Sequence, residues 1–369
     1  ARQCREASRS PSAMRRPCRG MRRPPRPGLA ARRALPPMRF CQLLVALLAA
    51  GWSMTSMAGL VSSPPASVPS VRSAEGPSLA VLTVATLNLR CDVAEDRAIG
   101  QGWSERQGLV ADILTRRRCD IVGTQEGLPH QLRDLDKELA CAAGVGRGYA
   151  RVGRGRSWSG RGEHCAIYFR HQALQLIEGG TFGLSDRPEC IGRRAWGAAC
   201  PRIATYALIG LPGGSSVLVL NAHLDHVSAE ARYRSAELLV RRVAELEAIA
   251  PPSSPIAGTL ILGDFNCAQR DADGRPGEAF SVFDAAGFHC ASEVAAGKVP
   301  RITFHAWEGE AASGYLGSYP HMHIDWILWR GPRLLPRRFD VVVERSESGV
   351  FPSDHFPVLA EFAVLPPMQ

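Results

Sequence analysis

Lysine and asparagine are almost missing from this chain. Of its 369 residues two are lysines, Lys137 and Lys298, and three are asparagines, Asn88, Asn221 and Asn266, although Lys and Arg together number 44. That bias fits a GC-rich coding background, in which loops and helix caps take Asp, Ser or Gly where Asn would also serve. None of the three asparagines opens an Asn-x-Ser/Thr triplet, so N-glycosylation is excluded. The 11 cysteines fall into no zinc-binding spacing. No internal sequence repeat or coiled-coil heptad is present.

A basic balance is lacking where a nucleic-acid footprint would need it. Residues 1–80 carry 13 Arg and 2 acids, a balance of +11, whereas residues 81–369 carry 31 basic and 33 acidic residues, a balance of −2. The sequence pI near 9.2 therefore describes the N-terminal segment and not the rest. Within that segment, Met38-Arg39 followed by Phe40–Trp52 resembles a signal peptide, with Ser56-Met57-Ala58 as a small-residue cleavage site. Residues 1–61 are expected to be a leader that sends the protein to the secretory pathway and the extracellular space. An uncleaved anchor over Phe40–Val61 is the second reading and an Arg-rich organelle transit peptide the third. Association with a membrane is expected only if that anchor is retained. Residues 62–78, rich in Ser and Pro, read as a linker, and 79–369 as one large α/β domain, expected to be a monomer.

The three asparagines share a setting. Each sits at the end of an apolar run: Val84–Leu87, Val217–Leu220 and Leu260–Phe265. The fullest case is Thr259-Leu260-Ile261-Leu262-Gly263-Asp264-Phe265-Asn266, a buried-strand pattern running into a turn. Side-chain alternation points Asp264 and Asn266 the same way and Phe265 into the core. Taken alone, this is also what a polar turn after a core strand looks like. Three rare amides in matching places, however, point to one shared site. Strands are predicted over Val81–Leu89, Cys119–Thr124, His164–Arg170, Ile203–Ile209, Val217–Leu220, Thr259–Phe265, His323–Trp329, Phe339–Val343 and Phe356–Val364. Helices are predicted after an N-cap at Ser104, over Pro129–Leu139 and over Ala229–Ala248.

Polar groups recur at these strand ends in a fixed order: Asn88 and Arg90; Gln125 and Glu126; Asn221, His223 and Asp225; Asp264 and Asn266; His323 and Asp325; Asp354 and His355. The assembly resembles the endonuclease/exonuclease/phosphatase (deoxyribonuclease-like) superfamily over roughly 81–365. It looks closest to the deadenylase-like branch and to little-characterised secreted or bacterial relatives. The resemblance implies a four-layer αββα sandwich, two packed, largely antiparallel or mixed sheets flanked by helices, with residues 79–369 as the catalytic domain. It also implies a Mg²⁺-dependent phosphoesterase, with Mn²⁺ as a substitute. The expected reaction is phosphodiester hydrolysis by a nuclease acting on RNA or DNA, including 3′–5′ exonuclease action. A lipid or inositol-phosphate hydrolase is the second reading, and a secreted binding protein that has lost catalysis the third.

The chemistry assigns expected roles. Phosphate-ester cleavage needs a cation on the non-bridging oxygens, an in-line water and stabilisation of the leaving oxygen. Glu126 is the first expected metal ligand, with Asn88 and Asp354 beside it, because Mg²⁺ takes few protein ligands. Asp264 would activate the water, Asn266 hold a phosphate oxygen, and His223 stabilise the transition state or leaving group. Asp325 lies between Ile324 and Trp326, and an acid inside an apolar strand must be paired or functional. It is the best partner for His355, which adjacent Asp354 cannot orient because neighbouring strand residues face apart. Arg90, Gln125, Asn221, Asp225, Arg202 and Arg232 are candidate substrate or supporting contacts. Arg90 departs from relatives with an acid there, which favours one metal over two. The Gly153–Arg156 and Arg161–Glu163 segment is a candidate phosphate-cradling loop. Cys190 and Cys200 are the first candidates for a disulfide, and Cys91 and Cys267 are expected beside the site.

Overall fold

The computed structural model describes residues 80–143, 148–271, 273–294, 302–312 and 323–366. The leader and linker expected over 1–78 lie outside the described residues. Among the described residues, twelve strands and five α-helices follow one another as β1 (Ala80–Asn88), α1 (Ala94–Ala98), α2 (Trp103–Arg116), β2 (Ile121–Gly127), α3 (Pro129–Ala143), β3 (Tyr149–Val152), β4 (His164–Arg170), β5 (Gln175–Gly183), β6 (Ile203–Gly210), β7 (Ser216–His223), α4 (Ala229–Ile249), β8 (Ile256–Asp264), α5 (Glu278–Ala285), β9 (His289–Cys290), β10 (Asp325–Arg330), β11 (Leu334–Val341) and β12 (Val358–Val364). They form two six-stranded sheets, β11-β12-β1-β2-β4-β3 and β5-β6-β7-β8-β10-β9. Each is antiparallel except for one central parallel pair, β1 with β2 and β7 with β8. A parallel pair needs a crossover, supplied by α1 and α2 in one sheet and α4 in the other. The topology therefore repeats although the sequence shows no repeat.

Period-two alternation builds three cores. Leu82 and Val84 of β1, Val217 and Val219 of β7, Leu260 and Leu262 of β8 and Ile327 of β10 fill the space between the sheets. Their odd-numbered or even-numbered neighbours face outward. Ala85 and Leu87 meet Val110, Leu114 and Leu135 of α2 and α3. Leu218, Leu220 and Ile261 meet Leu239 and Val243 of α4 and Phe283 of α5. The result is the four-layer αββα sandwich. Ser104 lies inside α2, which starts one residue earlier, after Gly102.

The inner faces turn polar where the inter-sheet core opens at one end. Following the alternation, Asn88 continues Leu82 and Val84, Asn221 and His223 continue Val217 and Val219, and Asp264 continues Leu260 and Leu262. Asp325 precedes Ile327 on the same face of β10, where it pairs with Asp264 across the antiparallel ladder. Gly263 keeps β8 close to β7 here, since a Cβ on it would come within 2.1 Å of the Ala222 carbonyl oxygen.

Candidate active site

One residue that closes these strands, Glu126, would face elsewhere if the alternation simply continued. Glu126 follows the inward-facing Gln125, but its φ is +61°, in the left-handed region, and the β2–β4 register shifts between Thr124 and Gly127. The irregularity redirects Glu126 into the cleft. Arg90 (φ +54°) after β1 and Asn266 (φ +51°) after β8 take the same conformation. A non-glycine residue held there costs of order 1–3 kcal/mol, and such strain clusters at functional sites. These three residues line a cleft of about 890 Å³ together with His223, Asp264 and His355.

Asn88 is the hub of this cleft. Its Nδ2 donates to Glu126 Oε1 at 3.0 Å and to Asp264 Oδ2 at 3.0 Å, while its Oδ1 accepts from the Arg90 backbone N–H at 2.9 Å. Asn88 thus fixes two carboxylates and spends one lone pair of its own oxygen on a backbone N–H. The second oxygen of Glu126 accepts from the Cys91 backbone N–H at 3.0 Å. Burial opposes the charge on Glu126, but these hydrogen bonds and the nearby His355 outweigh it and hold the carboxyl below its ordinary value.

A line of proton-carrying groups crosses the cleft floor. Asp325 Oδ2 accepts from His355 Nδ1 at 2.8 Å, and His355 Nε2 lies 3.8 Å from Asp264 Oδ2. Burial works against a charged His355, yet Asp325, with Asp264 and Asp354 behind it, pushes the imidazole up to about 10. Burial and the charge on Asp325 push Asp264 up to about 7, His355 pulling the other way. The ligand atoms of Asp264, Asp325 and His355 lie within 4.8 Å of one another, close enough to surround an ion. The His355 Nδ1 is committed to Asp325, which leaves its Nε2 turned toward Asp264.

His223 differs. Asn266 Nδ2 donates to its Nε2 at 2.9 Å and to the Leu224 carbonyl at 3.0 Å. Burial and the cations around it, Arg202 first, hold the imidazole well below its ordinary value. It is neutral, with its proton on Nδ1. The Asn266 NH₂ group orients His223, with one N–H on its Nε2 and the other on the Leu224 carbonyl. Asp354 is 5% exposed and lines the cleft. Burial lifts its carboxyl above the ordinary value, His355 opposing and Glu126 adding to the rise.

The expected supporting residues divide. Arg202 and Arg232 line the cleft. Asp225 is spent on the 226–228 turn, accepting from the Val227 and Ser228 backbone N–H groups, and on Arg202 at 3.3 Å. Gln125 and Asn221 do not reach the cleft. Asn221 lies one step deeper along β7, where its Nδ2 donates to the Thr124 and Ala166 carbonyls at 2.9 Å each and its Oδ1 accepts from Gln125 at 2.7 Å. It ties the two sheets together. Arg156 and Glu163 of the Gly/Arg-rich segment do line the cleft, and they pair with each other. All eight cysteines of the described region are free, so Cys190 and Cys200 form no disulfide, while Cys91 and Cys267 both border the cleft.

Four participants were missed in the sequence. Phe304, whose ring lies 4.9 Å from that of His355, and His226, which accepts from Arg202 at 2.8 Å, carry no local pattern. Asp96 takes Arg90 at 2.8 Å from within the short helix α1, where Ala-Glu-Asp-Arg reads as a solvated stretch. Arg106 was hidden on the buried face of α2. Its guanidinium donates to the Gln101, Leu89, Pro352 and Arg90 carbonyls and lies between Trp103 and Trp307.

A two-sheet sandwich with carboxylates, amides and imidazoles gathered at its strand ends defines a phosphoesterase fold. The chain belongs to the endonuclease/exonuclease/phosphatase family, whose model matches residues 85–355. Among solved structures, a family member from Bacteroides thetaiotaomicron is 28% identical at a TM-score of 0.65, over 78% of this chain and 99% of its own. A mannosyl-6-phosphatase from the same bacterium is 29% identical at a TM-score of 0.64, over 76% and 99%. TDP2 from Caenorhabditis elegans, 21% identical at a TM-score of 0.56 over 79% and 78%, shares the fold. No curated protein sequence matches the chain.

Proposed function

We propose that this chain is a divalent-metal-dependent phosphoesterase that hydrolyses small phosphate esters carrying a hydroxylated, sugar-like group. This departs from the polynucleotide substrate expected from the sequence. One observation carries the reading. Each arginine lining the cleft, among the described residues, already faces a carboxylate: Arg90 with Asp96, Arg156 with Glu163, Arg202 with Asp225, Arg232 with Glu278 and Arg270 with Glu293. A polynucleotide groove needs several unpaired cations to track successive phosphates, and each of these arginines is already paired with a carboxylate. Alternating guanidinium and carboxylate groups instead suit hydroxyls, which both donate and accept. The mannosyl-6-phosphatase, aligned over 99% of its own length, supports the same substrate class.

The residues present fit a hard divalent cation. Glu126 and Asp354 are oxygen donors lining the cleft, and the charge on Glu126 raises the proton affinity of Asp354, so a cation beside them would relieve that repulsion. They would hold Mg²⁺ or Mn²⁺, which would draw charge from the non-bridging phosphate oxygens. Asp264, near neutrality, takes the proton of the attacking water. His355, kept charged by Asp325, turns Nε2–H toward the charge that builds on the phosphoryl group. His223, neutral and held by Asn266, offers Nδ1–H to an oxygen of the substrate.

The test is the full chain with Mg²⁺ beside an Asp264→Ala variant. Substrates would be hexose 6-phosphates, single-stranded RNA, single- and double-stranded DNA, sphingomyelin and inositol polyphosphates. Turnover of the sugar phosphates, lost with EDTA and in the variant, is the expected result. Turnover confined to polynucleotides would restore the nuclease reading, and silence on every substrate would favour a binding protein.

A further inference from the structure

Among the described residues, Arg90 is the cleft arginine whose guanidinium forms an ion pair with Asp354. Its Nε lies 2.8 Å from Asp96 Oδ2 and 3.7 Å from Asp354 Oδ2, and its Nη2 donates to Asp96 Oδ1 at 3.3 Å. Among the described residues Nη1 has no hydrogen-bond partner. The side chain is one-third exposed on the cleft side. Its backbone is held from two directions. Its N–H donates to Asn88 Oδ1 at 2.9 Å, and its carbonyl accepts from Arg106 at 3.2 Å and from Gln131 at 2.9 Å. Asp96 is fixed in turn by the Trp307 indole N–H at 3.3 Å. A left-handed residue anchored this thoroughly, with one edge of its guanidinium still open to the cleft, is built to present that edge.

We propose that Arg90 is the fixed cation that binds the phosphate of the substrate, and that its charge restricts the Glu126 and Asp354 wall to a single divalent ion. This rests on the phosphoesterase reading above. Two physical arguments support it. A guanidinium edge matches the spacing of phosphate oxygens and needs no metal to do so. A second divalent cation against Asp354 would stand close to the Arg90 charge, whose Nε lies 3.7 Å from Asp354 Oδ2, and would be repelled by it. Asp96 does not compete with this role, because it holds the Nε and Nη2 edge and leaves the Nη1 edge to the ligand.

Two binding measurements on the full chain test the proposal without recourse to turnover. Inorganic phosphate is titrated calorimetrically in EDTA, and Mn²⁺ stoichiometry is read by equilibrium dialysis, for the wild type, Arg90→Gln and Arg90→Lys. The wild type is expected to bind one Mn²⁺ per chain and to bind phosphate without metal. Arg90→Gln should weaken that phosphate binding at least tenfold and admit a second Mn²⁺. Arg90→Lys, which keeps the charge and protects the test should the Gln variant unfold, should retain one Mn²⁺ with intermediate phosphate affinity. Two Mn²⁺ in the wild type, or phosphate affinity in Arg90→Gln within twofold of the wild type, would overturn the role of Arg90 while leaving the phosphoesterase reading intact. Failure of the wild type to bind either probe would overturn both.

Discussion

The Asp264 carboxyl, about 7, and the His355 imidazole, about 10, sit in one relay and divide the pH scale between them. If Asp264 must lose its proton and His355 must keep its own, the rate of hydrolysis should rise through pH 7 and fall near pH 10. The two apparent values belong to the coupled set. A pH–rate profile checks this, and a flat response between pH 6 and 8 would remove Asp264 as the base. Asp325→Asn takes away the charge that holds the His355 proton, so the falling limb should move from near 10 toward the ordinary histidine range. The same shift makes a stability prediction. A carboxyl raised on folding contributes stability that is fully present below its ordinary value near 4 and lost as pH rises through 7. Asp264→Asn removes that loss. In EDTA its melting temperature should exceed that of the wild type at pH 8, with the gap closing as the pH falls toward 4.

At the scale of the strands, period-two alternation made much of the architecture legible. The runs at β1, β4, β6, β7, β8, β10 and β12 are apolar on both faces because both faces are covered, and such runs stand out in sequence. The strand β5, largely exposed and carrying Gly179-Gly180, and the two-residue β9 have no such pattern, so they were not legible. Among the site residues the same rule both revealed and misled. Asp264 lies where alternation puts it, while Glu126 reaches the cleft only through a backbone irregularity that no side-chain pattern records. Asn221 shares the setting of Asn88 and Asn266 but ends two residues earlier on its strand than His223, and so it falls between the sheets. Gly123 makes room for it, since a Cβ there would come within 2.9 Å of Asn221 Oδ1. Asn221→Ala should strand the Gln125 amide and two carbonyl acceptors, a loss of roughly 2–4 kcal/mol at the usual cost of an unsatisfied buried group. The denaturation midpoint should fall with an unchanged slope, and kcat per folded molecule should stay near that of the wild type, because nothing in the cleft touches Asn221.

For the molecule as a whole, charge decides between substrate classes more directly than shape does. The strong positive charge lies in residues 1–80, and 81–369 balance at −2. A protein that neutralises several phosphates of a nucleic acid loses about 10³–10⁵ in affinity between 50 and 200 mM salt, because each contact releases a condensed counterion. A small phosphate ester carries no such atmosphere. Its two or so charges are met inside a cleft lined by His355 and the paired arginines, and close, partly buried contacts are screened far less than exposed ones. KM for a hexose phosphate at fixed Mg²⁺ should therefore change by less than about threefold between 50 and 200 mM NaCl, against the steep loss that counterion release imposes on a polynucleotide. The comparison is sharpest when the same salt series is run on single-stranded DNA with the same preparation. A KM for DNA that lies below that for the sugar phosphate at low salt, and climbs steeply with it, would mean that the leader or surfaces outside the described residues supply the missing cations, and the small-ester reading would fall.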